Sequence, residues 1–508
     1  MTEAPTRAGR REWTGLAVLS LAVTMITFDM FVLLLALPDL SADLRPTSVE
    51  QLWILDIYGF LVGGFLVTMG TLGDRIGRRR LLMIGAACFA VASVVSAFAT
   101  SPGMLIASRA LLGIAGATLA PSTLALISNM FRDPRQMGVA IGIWAGGFTL
   151  GAILGPIVGG LMLEHFWWGS VFLIGVPVML VPLVLGRFLV PEFKDPNPGR
   201  LDLASVALSL AAMLAFSYGL KEVARDGWQP SPTVVGLAGL CLGVVFARRQ
   251  LRLPNPLLDL ALFRDRTVAT MLAGLLMYGI IGASSMLFIT QSLQSVSGLT
   301  PLGAALCLLP GMVVATVSAT VAPVLAQRIR PAYLIGYGIL GVAAVFVWFT
   351  RLDAHSSPVH LVVGFAIMGL CEGPLVSLGT SLVVGGAPPE KAGQSSSMAQ
   401  TANEAGAALG VAIMGSIGAA VYAARLSVPA GLSDDVAARA TENLASAVAE
   451  GTAQGGPLGG QLVAAARDAY AASLNVFGAL GAGLLVVAAL FVLTRLRHVP
   501  PTGSATYQ

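Results

Sequence analysis

Lysine is almost missing: among 508 residues there are three, Lys194, Lys221 and Lys391. No GxxxxGK[ST] run exists for them to complete, which excludes an ATP-driven pump built on a phosphate-binding loop. Histidine is nearly as scarce. His165, His355, His360 and His498 stand in loops or at helix ends without HExxH or triad-like neighbours, so the chain is not read as an enzyme and no metal site is expected. Cys88, Cys241, Cys307 and Cys371 show no CxxC spacing and read as packing residues. Charge of either sign is thin, at 11% of residues against 56% hydrophobic, and the mean hydropathy is +0.81. A soluble chain of this length is excluded by that balance.

What is present is a succession of apolar runs. A helix needs roughly 20 mostly apolar residues to cross a bilayer core. Such runs lie at 14–37, 52–72, 81–100, 104–127, 138–163, 169–190, 203–222, 232–248, 267–290, 300–326, 332–350, 359–386, 393–424 and 470–494, which makes fourteen. The first follows Arg7, Arg10 and Arg11 but exceeds the roughly 7–15-residue apolar core of a secretory signal, so it reads as a retained helix.

Basic residues alternate from loop to loop. Of the 30, 22 fall on the side of the termini and seven, Lys221 among them, on the other, while Arg109 lies within a span. Both termini are therefore expected on the cytoplasmic side of the membrane. The net charge of +4 reflects this topology, and no nucleic-acid partner is expected.

The expected organisation is a tail at 1–13, a six-helix bundle at 14–190, two accessory helices with their linkers at 191–266, a second six-helix bundle at 267–494, and a tail at 495–508. The bundles carry a weak repeat, in which Gly70 to Ile76 matches Pro323 to Ile329 and the second copy lacks the acid. Paired repeats of this kind build transporters that work by alternating access. One long polar insertion, 425–469, reads either as a disordered loop or as a helical hairpin lid, with a helix from Ser433 toward Glu450, a break at Gly455 to Pro457, and a return helix at 458–468.

Acids within spans are the candidates for proton coupling: Asp29, Asp56, Glu372 and Glu404, with no lysine expected beside them. Carboxyls at membrane depth can exchange protons at ordinary pH. Asp29 and Asp56 stand level with Arg109, and the three are expected to form one proton switch. Glu372 and Glu404 fall near the midplane, where they would hold a cationic substrate against Phe28, Trp144, Phe148 and Tyr278.

The second loop reads Gly70, Leu72, Gly73, Asp74, Arg75, Gly77, Arg78, Arg79, Arg80, a spacing that resembles the hallmark loop of the major facilitator superfamily. Leu105, Arg109 and Gly113 resemble its second motif, with Leu112 where a glutamine is usual. Gly147, Gly151, Gly155, Pro156, Gly159 and Gly160 resemble the signature of its antiporter branch. With two extra central helices, the whole chain is similar to the fourteen-helix drug:proton antiporters. Ala36-Leu37-Pro38, Gln51-Leu52-Trp53, Pro191-Glu192 and Glu404-Ala405-Gly406 match as well, and Met30 after Asp29 departs from the pattern.

The resemblance implies an all-α integral membrane protein of the major facilitator fold, with two pseudo-symmetric six-helix bundles and two accessory helices. It implies export of lipophilic, cationic drug-like molecules in exchange for protons, by a monomer in the lipid bilayer that needs no cofactor. A proton falling through about 100 mV supplies roughly 2.3 kcal/mol. The alternative is a secondary transporter of one endogenous metabolite or antibiotic.

Overall fold

The computed structural model describes residues 8–131, 133–194, 202–253, 256, 263–386 and 392–501. Arg7, Arg132, Arg200 and Lys391 from the orientation count, and parts of the expected tails and linkers, lie outside the described residues. Among the described residues the architecture is all helical. The chain runs α1 (Arg10–Leu44), α2 (Ser48–Ile76), α3 (Arg78–Ala97), α4 (Pro102–Met130), α5 (Pro134–His165), α6 (Ser170–Leu173), α7 (Gly175–Leu189), α8 (Leu203–Asp226) and α9 (Pro230–Gln250). It continues through α10 (Arg266–Gln291), α11 (Pro301–Ala326), α12 (Pro331–Phe349), α13 (Pro358–Gly385), α14 (Ala392–Arg425), α15 (Asp434–Glu442), α16 (Leu444–Gln454) and α17 (Gly456–Arg495). Among the described residues, fourteen segments are long and apolar enough to span a membrane, with α6 and α7 two pieces of one of them and α15 and α16 too short.

Local chemistry sets the helix starts. Proline, whose missing N–H costs nothing in the first turn, opens α4, α9, α11, α12 and α13. Thr47 caps α2 in a reciprocal box with Glu50, and Ser101, Thr300, Ser433 and Asn443 cap α4, α11, α15 and α16. Some helices run well beyond the apolar core: α1 has 35 residues and α17 has 40, both longer than the apolar runs alone suggest.

Two large apolar clusters form, one within α1–α7 and the other chiefly within α10–α14 and α17. Helix α5 connects them. Gly147, Gly151, Gly155 and Gly159, four residues apart, lie against the backbone or side chains of α1, whereas Gly160 lies against the start of α11 at Leu302. The spacing puts one small-residue stripe on one face and lets the backbones touch, as membrane helices do where lipid supplies no hydrophobic drive. A Cβ on Gly155 would sit 3.0 Å from the Phe28 carbonyl, while one on Gly146 would meet nothing within 4 Å. Gly155→Leu is accordingly expected to cost about 1–3 kcal/mol by overpacking. A thermal melt of the purified protein should show a lowered midpoint for Gly155→Leu and none for Gly146→Leu.

Helices α8 and α9 pack as a pair through Gly219, Gly236 and Gly239. At the start of α8, Asp202 accepts from Arg249 at 2.9 Å and from Ser205. Desolvation opposes ionisation there, but the hydrogen bonds from Ser205 and Arg249 outweigh it and hold the Asp202 carboxyl below the usual value. Only α8 of the pair reaches far into the bundles. It lies in the groove where α2 meets α14, over Phe60, Ala408 and Ala412, with Met213 and Leu214 packed against them.

The polar insertion differs from its expected outline. Its first helix is broken at Asn443 into α15 and α16, and the expected return helix is the beginning of α17, so no separate segment comes back. Asn443 makes the break by capping α16 through Ser446. The hairpin is internally tied by Arg439, which bridges Asp435 and Glu450. It also reaches the other bundle: the Ser48 amide donates to Glu442 at 2.9 Å, and Asn443 donates to the Pro46 carbonyl at 3.4 Å.

Candidate transport site

The most deeply buried charges form two pairs. In the first, Arg109 of α4 donates to Asp29 of α1, with the residues 0% and 3% exposed. The Arg109 Nε also donates to the Ile54 carbonyl at 3.3 Å, and its guanidinium carbon stands 4.7 Å above the Tyr58 ring. Tyr58 in turn donates to the Ile26 carbonyl at 3.2 Å. Helices α1, α2 and α4 are thus joined through one arginine. A central ionic side chain costs roughly 2.5–3.5 kcal/mol in a spanning helix, and mutual pairing offsets that cost.

Asp56 does not join this pair, as its level in the sequence suggests it should. Its Oδ2 lies 2.8 Å from Nζ of Lys221, both side chains fully buried, and the ammonium stands 3.7 Å over the Trp53 ring. The expectation that no lysine accompanies the membrane acids is therefore corrected, and so is the placement of Lys221 in a loop. It stands near the end of α8, and the docking of α8 against α2 turns that end inward. The available signal was that Lys221 is the one lysine within a predicted span, 203–222.

Glu404 and Glu372 also separate. Glu404 of α14 packs beside Gly63 of α2, on the seam between bundles, and accepts from Gln400 at 2.9 Å. Tyr58 lies within electrostatic reach of Glu404 as well as of Asp29 and Arg109. Glu372 instead borders a narrow cavity enclosed by α10, α12, α13 and α17, with Tyr278 and Cys371 in its wall. All four helices belong to the second bundle, so the expected shared cation site of Glu372 and Glu404 is not what the packing makes. Both acids stand near mid-depth in sequence, but their helices turn them to different faces.

The aromatic candidates divide likewise. Phe28 is buried at 4% inside the first bundle. Trp144 and Phe148 of α5 meet edge to face at 5.2 Å, Trp144 donating to Thr123 at 2.9 Å and the Phe148 carbonyl accepting from Thr27 at 2.8 Å. Tyr278 stays with Glu372.

The loop motif is compact, since α2 runs through Gly70, Gly73, Asp74 and Arg75 and only Gly77 separates it from α3. Gly77 has φ +110°, open to glycine alone, and Glu192 fills the space a Cβ would need. Asp74 pairs with Arg78 at 2.5 Å within its own turn, and the Arg78 amide donates to the Phe193 carbonyl at 2.8 Å. Arg79 contacts Glu192, its amide donating at 3.0 Å. Asp74 thus finds its arginine partner in Arg78 of the same loop. Pro156 lies within α5, beside the glycine stripe.

The profile of the Major Facilitator Superfamily matches residues 19–411. The chain belongs to that superfamily. It is 41% identical, over 98% of its length and 99% of the relative's, to the multidrug efflux pump LfrA of Mycolicibacterium smegmatis. It is 34% identical, over 94% of its length and 97% of the relative's, to the methyl viologen resistance protein SmvA of Salmonella typhimurium. Among solved structures, an inward-facing, unoccupied bacterial homolog of the human lysosomal transporter Spinster superposes with a TM-score of 0.68 at 17% identity, covering 96% of this chain and 99% of that one. This facilitator is a multi-pass membrane transporter, with fourteen candidate spans among the described residues, and not an enzyme.

Proposed function

We propose that this facilitator exports lipophilic, cationic drug-like compounds across the bacterial plasma membrane in exchange for protons, by alternating access, as a monomer with both termini cytoplasmic and no cofactor. The relatives named for multidrug efflux and methyl viologen resistance support the substrate class. The observation that carries the reading is Glu404: it is a carboxyl on the seam between bundles, and among the described residues its hydrogen-bond partner is the neutral Gln400 and no cation pairs with it. An acid so placed can hold a proton or an organic cation and exchange one for the other as the bundles rock. Asp29 and Arg109 supply a second proton-responsive pair, and the Asp74–Arg78 turn and the α5 stripe supply stiff elements about which the bundles move.

In inverted membrane vesicles, imposing a proton gradient is expected to drive ethidium accumulation, and a protonophore is expected to abolish it. Accumulation that persists with the protonophore would refute the coupling. No ethidium movement, with transport of a single endogenous metabolite instead, would refute the drug reading in favour of a dedicated carrier.

A further inference from the structure

The pair of Lys221 and Asp56 is left out of the proton switch formed by Asp29 and Arg109, yet its geometry is that of a ligand site. Trp53 and Asp56 are three residues apart on α2 and so share one face. Together they present an aromatic surface and a carboxylate to the same point, and the Lys221 ammonium occupies it, 3.7 Å from the ring centroid and 2.8 Å from Asp56 Oδ2. An anion beside a tryptophan face is how proteins hold organic cations. The ammonium comes from α8, an element outside the two bundles, which lies on the groove between α2 and α14.

The surroundings suit a lipophilic cation. Phe60, Met213 and Leu214 supply apolar surface in the same groove. Lys221 forms part of the wall of a cavity of about 380 Å³ between α2, α8, α14 and α15, a volume in the range of drug-sized pockets. Ser416, Thr441 and Glu442 border that cavity too, so a displaced ammonium meets hydroxyls and a carboxylate without leaving it.

We propose that Trp53 and Asp56 form a subsite for organic monocations, and that Lys221 is a tethered cation which fills it until a substrate displaces it. Helix α8 is then a working part of the site: it keeps the carboxylate neutralised when no substrate is bound, and substrate entry loosens its hold on α2. The proposal rests on the reading of the substrate as a lipophilic cation.

Tetraphenylphosphonium binding to the purified full chain in nanodiscs tests it. Lys221→Met is expected to lower the Kd about 10-fold or more, because the competitor is gone, while Lys221→Arg, which keeps a competing cation, stays near the wild-type value. Adding Asp56→Asn to Lys221→Met should remove the gain. A Kd for folded Lys221→Met equal to or higher than that of wild type would overturn the proposal. Wild type serves as the second measurement and needs no variant to fold. Tetraphenylphosphonium should raise the reactivity of Lys221 toward an amine-acylating reagent, read by peptide mass spectrometry against the exposed Lys194. Unchanged or reduced Lys221 labelling, at a concentration where binding is seen, would overturn the proposal. If wild type binds no tetraphenylphosphonium at all, the cation reading itself fails; if it binds but Lys221 neither competes nor becomes reactive, only the subsite fails.

Discussion

Asp29→Asn is expected to bring proton-driven efflux down to the level of empty membranes. The substitution removes the exchangeable acid and strands Arg109, which is 0% exposed and cannot shed its charge. Breaking one side of a buried pair typically costs about 3–5 kcal/mol, so the amount of folded protein in the membrane should fall as well. Pairing Asp29→Asn with Arg109→Met separates the two effects. With no stranded charge, the double variant should recover folded protein, measured by fluorescence-detected size exclusion, and still show no efflux. Recovered efflux in the double variant would mean that the pair only holds α1 against α4 and takes no part in coupling.

Glu404→Gln is expected to act differently, by stopping transport without harming the fold. The amide is isosteric, the Gln400 contact can be kept, and no buried cation is left behind. What is lost is the negative charge that the proposed function assigns to the substrate. A hydrogen bond from an ethidium amine to a charged group contributes about 1.5–3 kcal/mol, so the apparent affinity for ethidium should fall roughly 10- to 150-fold at about 1.4 kcal/mol per tenfold. Efflux kinetics in vesicles, at matched protein levels, give this value. Unaltered affinity for cations would remove Glu404 from the site.

The two variants follow from different degrees of legibility. The fourteen spans could be read because each apolar run is long and the turns between them short, and lipid enforces helices on such runs. Pairing could not. The acids Asp29 and Asp56 have the same depth in neighbouring helices, and what assigns Arg109 to the first is the rotation of α2, which points Ile54 and Tyr58 at the guanidinium and Asp56 the other way. Glu372 and Glu404 illustrate the same point, since depth is written in the sequence but the face toward which a nearly all-apolar helix turns is not. The faint amphipathicity of a helix that is apolar on every side gives no clue to it. Lys221 was missed for a further reason: a lysine at the end of a span reads as an anchor to the membrane surface, and only the docking of α8 onto the seam makes it internal.

The outline of the polar insertion shows what short-range chemistry can supply. Ser433 and its acids mark the start of α15, and the break at Gly455 is where α17 begins. The capping preference of Asn443, equally local, adds a break about three turns before that one. Its contacts to Pro46 and Ser48 depend on the approach of two bundles and have no local signature.

The central claim is exchange of protons for a cationic drug through the carboxyls of α1 and α14. Proteoliposomes holding the purified protein and a pH-sensitive dye, with methyl viologen added outside and no other gradient, test it most directly. The account predicts proton movement opposite to the drug, present in wild type and absent in both Asp29→Asn/Arg109→Met and Glu404→Gln. Drug movement with no accompanying proton flux in wild type would contradict it.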